Sequence, residues 1–309
     1  LNLPMIFGEK FISFIVPQIC YTRSMTNLAF MSDLHLDSNQ FTDEDITILI
    51  DLLKKKKVDH IHFAGDLSND FEHISLPFLQ KLKKSFSVSY NLGNHDMLGM
   101  TEDDIQQHNF NVQSFGQTQF ISLAGWYDYG FVPEKTPEEH KRTKQFFWFD
   151  RRLNRNTDDP ILTQQTLEQL ERILTSLNDP IILAMHFVPH KDFLYNHPYF
   201  QRFNAFLGSQ AFHNLFVKYG VKDVVFGHLH HRHSARMIDG VCYHTRPLGY
   251  IRKWQLTQQF FEDYPQYKIS QMYRLHKRYN AVKDLSLFQS YKKKHLRKEL
   301  EDALIIFDI

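Results

Sequence analysis

The 309-residue chain carries 36 Lys and Arg against 35 Asp and Glu, together with 18 His, 2 Cys and 28 Phe. At 42% hydrophobic and 23% charged residues it can bury a sizeable core, which excludes a wholly disordered chain. Cys20 and Cys242 cannot build a disulfide framework or a zinc knuckle, no run of about 18 apolar residues reads as a membrane span, and a formal charge of +1 excludes a globally basic nucleic-acid binder.

Residues 1–24 contain the apolar stretch FISFIVPQIC, but without a positive flank before it or a small-residue cleavage site after it. They read as an extension outside the fold, with a signal or anchor as the alternative, and the protein is expected in the cytoplasm. The folded domain is expected over 25–255. Its first strand, Asn27–Met31, ends in Ser32-Asp33-Leu34-His35. Thr42 or Asp43 caps a predicted helix to Lys57, with Ile46, Leu49, Ile50 and Leu53 at helical spacing. A strand at His60–Ala64 runs into Gly65-Asp66, a helix over 73–84 follows, and a strand at 86–91 leads into Gly93-Asn94-His95-Asp96.

Thr118–Ala124 is a further strand, after which residues 126–156 turn aromatic and irregular. Leu167, Leu170, Leu174 and Leu177 stripe a helix over 163–177, and Pro180–Met185 reads as a strand ending at His186. A loop and a helix fill 187–218, then Asp223–Phe226 is a strand ending in Gly227-His228-Leu229-His230. Asp239-Gly240 joins two short runs as a hairpin. From 256 to 309 a basic helical segment is expected to pack on the domain. Between Lys268 and Lys298 it holds ten basic residues and one acid, Asp284, a local +9 that leaves −8 on the rest of the chain. A solvated amphipathic helix explains that segment most simply, and contact with nucleic acid or an anionic membrane is the alternative.

Five β-runs therefore end in side chains able to bind a metal. In open α/β sheets, ligands sit beyond the carboxyl ends of the strands, where loops from distant sequence converge. Each motif alone is weak: D-x-H is often a turn, G-D an ordinary bend, a lone His a satisfied core residue. All five in one order are a different matter. That order, D-x-H, G-D, G-N-H-D, H and G-H-x-H, resembles the calcineurin-like metallophosphoesterase superfamily, and the spacings of 33 residues from Asp33 to Asp66 and 28 from Asp66 to Asn94 fit it.

The resemblance spans about 27–249 and implies a four-layer α/β/β/α sandwich of two mixed β-sheets flanked by helices. It implies two divalent ions, Mn²⁺ first and Fe or Zn²⁺ as alternatives, since Asp, Asn and His ligands without a thiolate suit these metals. One ion falls to Asp33, His35 and His230, the other to Asn94, His186 and His228, with Asp66 bridging. Hydroxide generated there would attack phosphorus in line, with His95 as general acid and Asp96 either orienting His95 or capping a turn.

Asn94 and His95 would also touch the substrate phosphate. Trp126, Tyr127 and the cluster 146–149 could overhang the site as a lid, with Arg151, Arg152 and Arg155 meeting a second phosphate and His190 lining the pocket; a satellite core and a solvated face are the alternatives. The expected substrate is a small-molecule or nucleotide phosphate mono- or diester. Two other functions stay open. A nuclease would use the basic tail, against the acidity of the body, and a non-catalytic binding or scaffold protein would have lost ligands that this sequence retains.

Overall fold

The computed structural model describes residues 26–177 and 180–309; the expected extension at 1–24 lies outside them. In chain order the elements are β1 (Asn27–Met31), α1 (Asp43–Lys55), β2 (His60–Ala64), α2 (Leu76–Lys83), β3 (Ser87–Asn91) and α3 (Glu102–Gln107). They continue with β4 (Asn111–Phe115), β5 (Thr118–Leu123), α4 (Pro137–Phe147), α5 (Asp159–Thr175), β6 (Ile181–Met185), α6 (Pro198–Gln201) and α7 (Gln210–Lys218). The last are β7 (Asp223–Phe226), β8 (Arg236–Ile238), β9 (Val241–His244), α8 (Gln255–Asp263), α9 (Leu275–Asn280), α10 (Ser286–Asp302) and β10 (Ile305–Asp308).

Two mixed sheets result. One has the order β10-β1-β2-β3 and the other β4-β5-β6-β7-β9-β8. Parallel pairing of β1 with β2 and of β2 with β3 brings their carboxyl ends to one edge, and β5, β6, β7 and β9 do the same in the second sheet. Strand alternation sets the layers. Leu28, Phe30, Ala64, Phe120, Ile182, Ala184 and Val225 meet between the sheets. Ala29, Met31, Ile61 and Phe63 face the helices over the first sheet, and Leu183, Met185, Val224 and Phe226 face those over the second.

Local signals account for the helices. Thr42 caps α1 by accepting from the Asp45 backbone N–H while the Asp45 carboxylate takes the Thr42 N–H, and Leu49, Leu52 and Leu53 bury the inner face. The helix over 163–177 starts earlier, at Asp159, because Pro160 sits in its first turn where no N–H partner is needed.

Three elements differ from the sequence reading. β4 pairs antiparallel with β5, and α4 forms inside the stretch expected to be irregular, with Thr136 as its cap. The C-terminal segment is not wholly helical: β10 pairs antiparallel with β1 and covers what would otherwise be an exposed sheet edge. The basic helix α10 docks through charge as well as apolar contacts. Lys292 Nζ reaches Asp45 Oδ2 at 2.8 Å with both side chains buried, and Lys293 pairs with Glu44 and Lys56 with Glu301. Part of the basic excess is thus neutralised by acids of the first helix and of α10 itself.

Candidate metal centre

Backbone bonds tie the loop after β1 to that after β2 and the loop after β6 to that after β7, while the Asp33, Asp66 and Asp96 carboxylates link these to each other and to the loop after β3. The Asp33 N–H donates to Gly65 O at 2.9 Å, His35 N–H to Asp66 O at 3.0 Å, and Gly227 N–H to His186 O at 3.1 Å. Asp33, His35, Asp66, His228 and His230 all hold left-handed backbone, with φ between 42 and 70°. For residues with a Cβ such angles cost on the order of 1–3 kcal/mol each, so tertiary contacts must hold them. The glycines beside the ligands have a spatial reason. A Cβ on Gly93 would lie 2.2 Å from Asp66 Oδ1, and one on Gly227 would lie 2.4 Å from Asp33 Oδ2.

The seven expected ligands come together in the two expected groups. Asp33, His35, Asp66 and His230 offer ligand atoms within 4.8 Å of one another, and so do Asp66, His186 and His228. Asn94 joins the second group through Oδ1, 3.2 Å from His186 Nε2. Asp66 is common to both. His230 Nε2 stands 3.0 Å from Asp33 Oδ1 and 3.0 Å from His35 Nε2, and His186 Nε2 stands 3.1 Å from His228 Nδ1.

The charges at this centre are unbalanced without a cation. Asp66 Oδ2 is buried and makes no hydrogen bond, although the Nε2 atoms of His186, His35 and His95 face it at 3.4, 3.7 and 4.0 Å. Burial pushes the Asp33 carboxyl up, but the hydrogen bond and charge of His230 outweigh it and hold the group at about 2. Burial also raises Asp66, yet His186 and His95 keep it well below the carboxylate range. Burial lowers His186, but Asp66 overrides that and lifts it to about 9, while burial with the charge of His186 drives His228 to about 3. Two buried carboxylates ringed by imidazoles, one of them common to both groups and with an unpaired oxygen, fit two divalent ions that would replace those protons.

His95 lies beside this centre. Its Nδ1 is 2.9 Å from Asn69 Oδ1, and Asn69 Nδ2 donates to Asp37 Oδ2 at 2.7 Å, which fixes the amide so that its oxygen faces the ring. Phe149 stacks on His95 at 3.8 Å between ring centroids. Asp96 does not orient His95. Its carboxylate accepts the backbone N–H groups of Asp66 at 2.7 Å, Leu67 at 2.9 Å, Ser68 at 3.2 Å and Gly93 at 2.9 Å, so it clamps two motif loops together. Burial and the nearby Asp66 raise the Asp96 carboxyl to about 7.

Three of the residues expected at the substrate, Trp126, Tyr127 and His190, are buried in protein. Trp126 and Tyr127 are 1% and 0% exposed and pack with Phe187 and Phe206 in the core over the second sheet, so neither can stack a substrate ring. His190 is also buried, against His213 and Tyr243, with no contact to the ligand groups. Arg155 is paired with Glu102 and stacks on Trp126. Of the aromatic stretch, it is Phe149 and Asp150 that reach the site: Asp150 Oδ1 accepts from Asn94 Nδ2 at 2.6 Å. Tyr250 stacks on His35 at 4.3 Å. Asn69, Asp150 and Tyr250 are not singled out by the sequence; Asn69 and Tyr250 lie in loops and Asp150 in a single 3-10 turn over Phe149–Arg152, too short for periodicity, and only the run FFWFD, with one acid after four aromatics, carries a hint.

A two-sheet sandwich with two ligand groups sharing one carboxylate at the strand ends defines a dinuclear metallohydrolase. Residues 26–232 match the calcineurin-like phosphoesterase family, and the chain belongs to it; members bind a pair of divalent metals, and this protein is a hydrolase of phosphoric esters. The fold is similar to phosphopantetheinyl hydrolase from Mycobacterium tuberculosis, with 19% identity, a TM-score of 0.56, and coverage of 75% of this chain and 93% of that one. It is also similar to a dimetal phosphatase from Danio rerio, with 13% identity, a TM-score of 0.50, and coverage of 72% and 87%. No curated protein matches the sequence. No helix among the described residues is long and apolar enough to cross a membrane.

Proposed function

We propose that the protein hydrolyses small phosphate esters with two Mn²⁺ ions held by Asp33, His35 and His230 on one side and by Asn94, His186 and His228 on the other, with Asp66 between them. The observation that carries this reading is the buried, unpaired Asp66 Oδ2 at the focus of His35, His95 and His186. Such ions lower the pKa of water toward neutrality and offset charge on phosphoryl oxygens.

The chain's own groups supply the rest. Asn69 takes the Nδ1–H of His95, which leaves Nε2 facing the centre. Nε2 carries a proton only in the imidazolium, the form able to protonate a leaving alkoxide. Phe149 packed on the ring limits its rotation, and Asp150 holds the Asn94 amide so that Oδ1 points at the ligand group. Asp96 fixes the separation of the Asp66 and Asn94 loops.

A panel of mono- and bis-p-nitrophenyl phosphates tests the reading. Turnover should vanish after dialysis against a chelator and return with Mn²⁺, while Asp66→Ala should lose it permanently. Full activity in Asp66→Ala would refute the assignment.

A further inference from the structure

Beside the metal centre lies a cavity of about 450 Å³, a size in the range of small-molecule sites. One wall is His230, which belongs to the first ligand group. The rest of the lining includes Arg232 from the segment after β7, Lys253 just before α8, Arg278 of α9 and Glu299 of α10. Most of this lining lies beyond residue 232, where the match to the family ends.

The charges in the wall do not cancel. Glu299 is its one carboxylate and is fully engaged: Oε1 takes Arg232 Nη2 at 2.8 Å and Oε2 takes the Leu256 N–H at 3.0 Å. Lys253 has no carboxylate partner among the described residues, and burial together with neighbouring Arg252 lowers its pKa. Arg278 Nη2 donates to the Arg252 carbonyl at 2.9 Å, but its Nε is buried without any hydrogen-bond partner. Both side chains are only partly buried, but a desolvated guanidinium nitrogen without a partner is unfavourable, and an anion in the cavity would supply the acceptor that Arg278 Nε and Lys253 lack.

We infer that this cavity is a subsite for a second phosphate, so that preferred substrates are small phosphoesters carrying two phosphate groups, one at the metal centre and one between Lys253 and Arg278. The inference rests on the phosphoesterase reading above and names its substrate class. It also gives Arg278 of the C-terminal segment a role in selection: its guanidinium and the Lys253 ammonium supply the donors that a phosphate dianion needs.

Propane-1,3-bisphosphonate and propylphosphonate, which cannot be hydrolysed, separate the two questions. Inhibition of p-nitrophenyl phosphate turnover and calorimetric binding are both measured on the Mn²⁺-loaded protein. The wild type should prefer the bisphosphonate by at least tenfold, Lys253→Met and Arg278→Met should each remove most of that preference, and Arg278→Lys should keep part of it. Equal affinity for the two probes in the wild type, or an undiminished preference in a Lys253→Met protein that melts like wild type, overturns the subsite. If no phosphoester is turned over, the phosphoesterase reading fails, while calorimetry still decides whether the cavity binds a second phosphonate.

Discussion

Asp150 accepts a hydrogen bond from Asn94 Nδ2 at 2.6 Å, and both residues are buried. An amide can turn either end toward a cation, and the carboxylate decides which. Burial raises the Asp150 carboxyl to about 6, with Lys144 and Asn94 acting against it, so it is ionised near neutral pH and takes the N–H end. Partners of this kind typically contribute 10–100-fold to metal affinity. Asp150→Ala should therefore weaken Mn²⁺ binding by about that factor in calorimetry, and Asp150→Asn, which keeps an acceptor oxygen, should lose less. Unchanged affinity in Asp150→Ala would remove the role.

Proton donation by His95 has a signature in the leaving group. His95→Asn should lower kcat on an alkyl phosphate by about 100-fold or more, within the usual range for general acids. On a p-nitrophenyl ester, whose leaving group needs no proton, the loss should be under about tenfold. Equal losses on both esters would show that His95 acts by positioning alone. Burial pushes the His95 imidazole below its ordinary value, so alkyl-ester turnover should already be declining with rising pH on the acid side of the ordinary imidazole range, whereas p-nitrophenyl turnover should not follow it.

Metal loading should be visible as stability. The centre keeps five residues in left-handed backbone and buries two carboxylates, of which Asp66 is shared by both ligand groups. An ion that binds only the native state at 100 times its dissociation constant adds about 2.7 kcal/mol. Mn²⁺ should therefore raise Tm by several degrees in wild type and by much less in Asp66→Asn. An identical shift in the two proteins would place the binding elsewhere.

Gly93→Ala tests the packing between motifs. The added Cβ would meet Asp66 Oδ1 at 2.2 Å and the Asp66 backbone nitrogen at 2.5 Å. Neither neighbour is a free side-chain end, since the Asp66 N–H is held by Asp96. The variant should melt lower and lose metal; wild-type metal content would contradict the geometry.

Acid should weaken the fold from within the sandwich. His60 and His62 sit between the sheets in a hydrogen-bonded row with Ser87, Ser89 and Asn91. Burial lowers them to about 4 and about 3. The unfolded chain therefore takes up these protons first, and the stability they leave intact above pH 6.5 is lost as pH falls toward those values, by up to about 1.4 kcal/mol per pH unit for each group. His62→Gln should flatten the decline measured by denaturant titration between pH 6.5 and 4.5, and parallel curves would exclude it.

Much of this architecture was readable because parallel strands announce themselves. Runs such as Ile181–Met185 are apolar throughout, and the polar residue that ends each one marks the edge where loops meet. β4 escaped because Asn111–Phe115 is an edge strand with polar and apolar residues mixed on both faces, and β10 because it follows a basic stretch. Trp126 and Tyr127 show the limit at the site. An aromatic pair after a strand suits a lid or a core equally in sequence, and only the depth of Phe187 and Phe206 around it decides. Asn69, Asp150 and Tyr250 act through neighbours brought from far along the chain, a relation that periodicity does not encode.

β1 supplies the lead-in to Asp33 and His35, yet its outer partner is β10. During synthesis the first strand of the centre must wait, half-paired, until β10, the last of the described elements, has been made. Local contacts cannot stabilise it early, so the centre should mature late. Deleting Ile305–Asp308 would then act as an assembly defect, with exposed β1 edges drawing nascent copies into aggregates before any metal is bound.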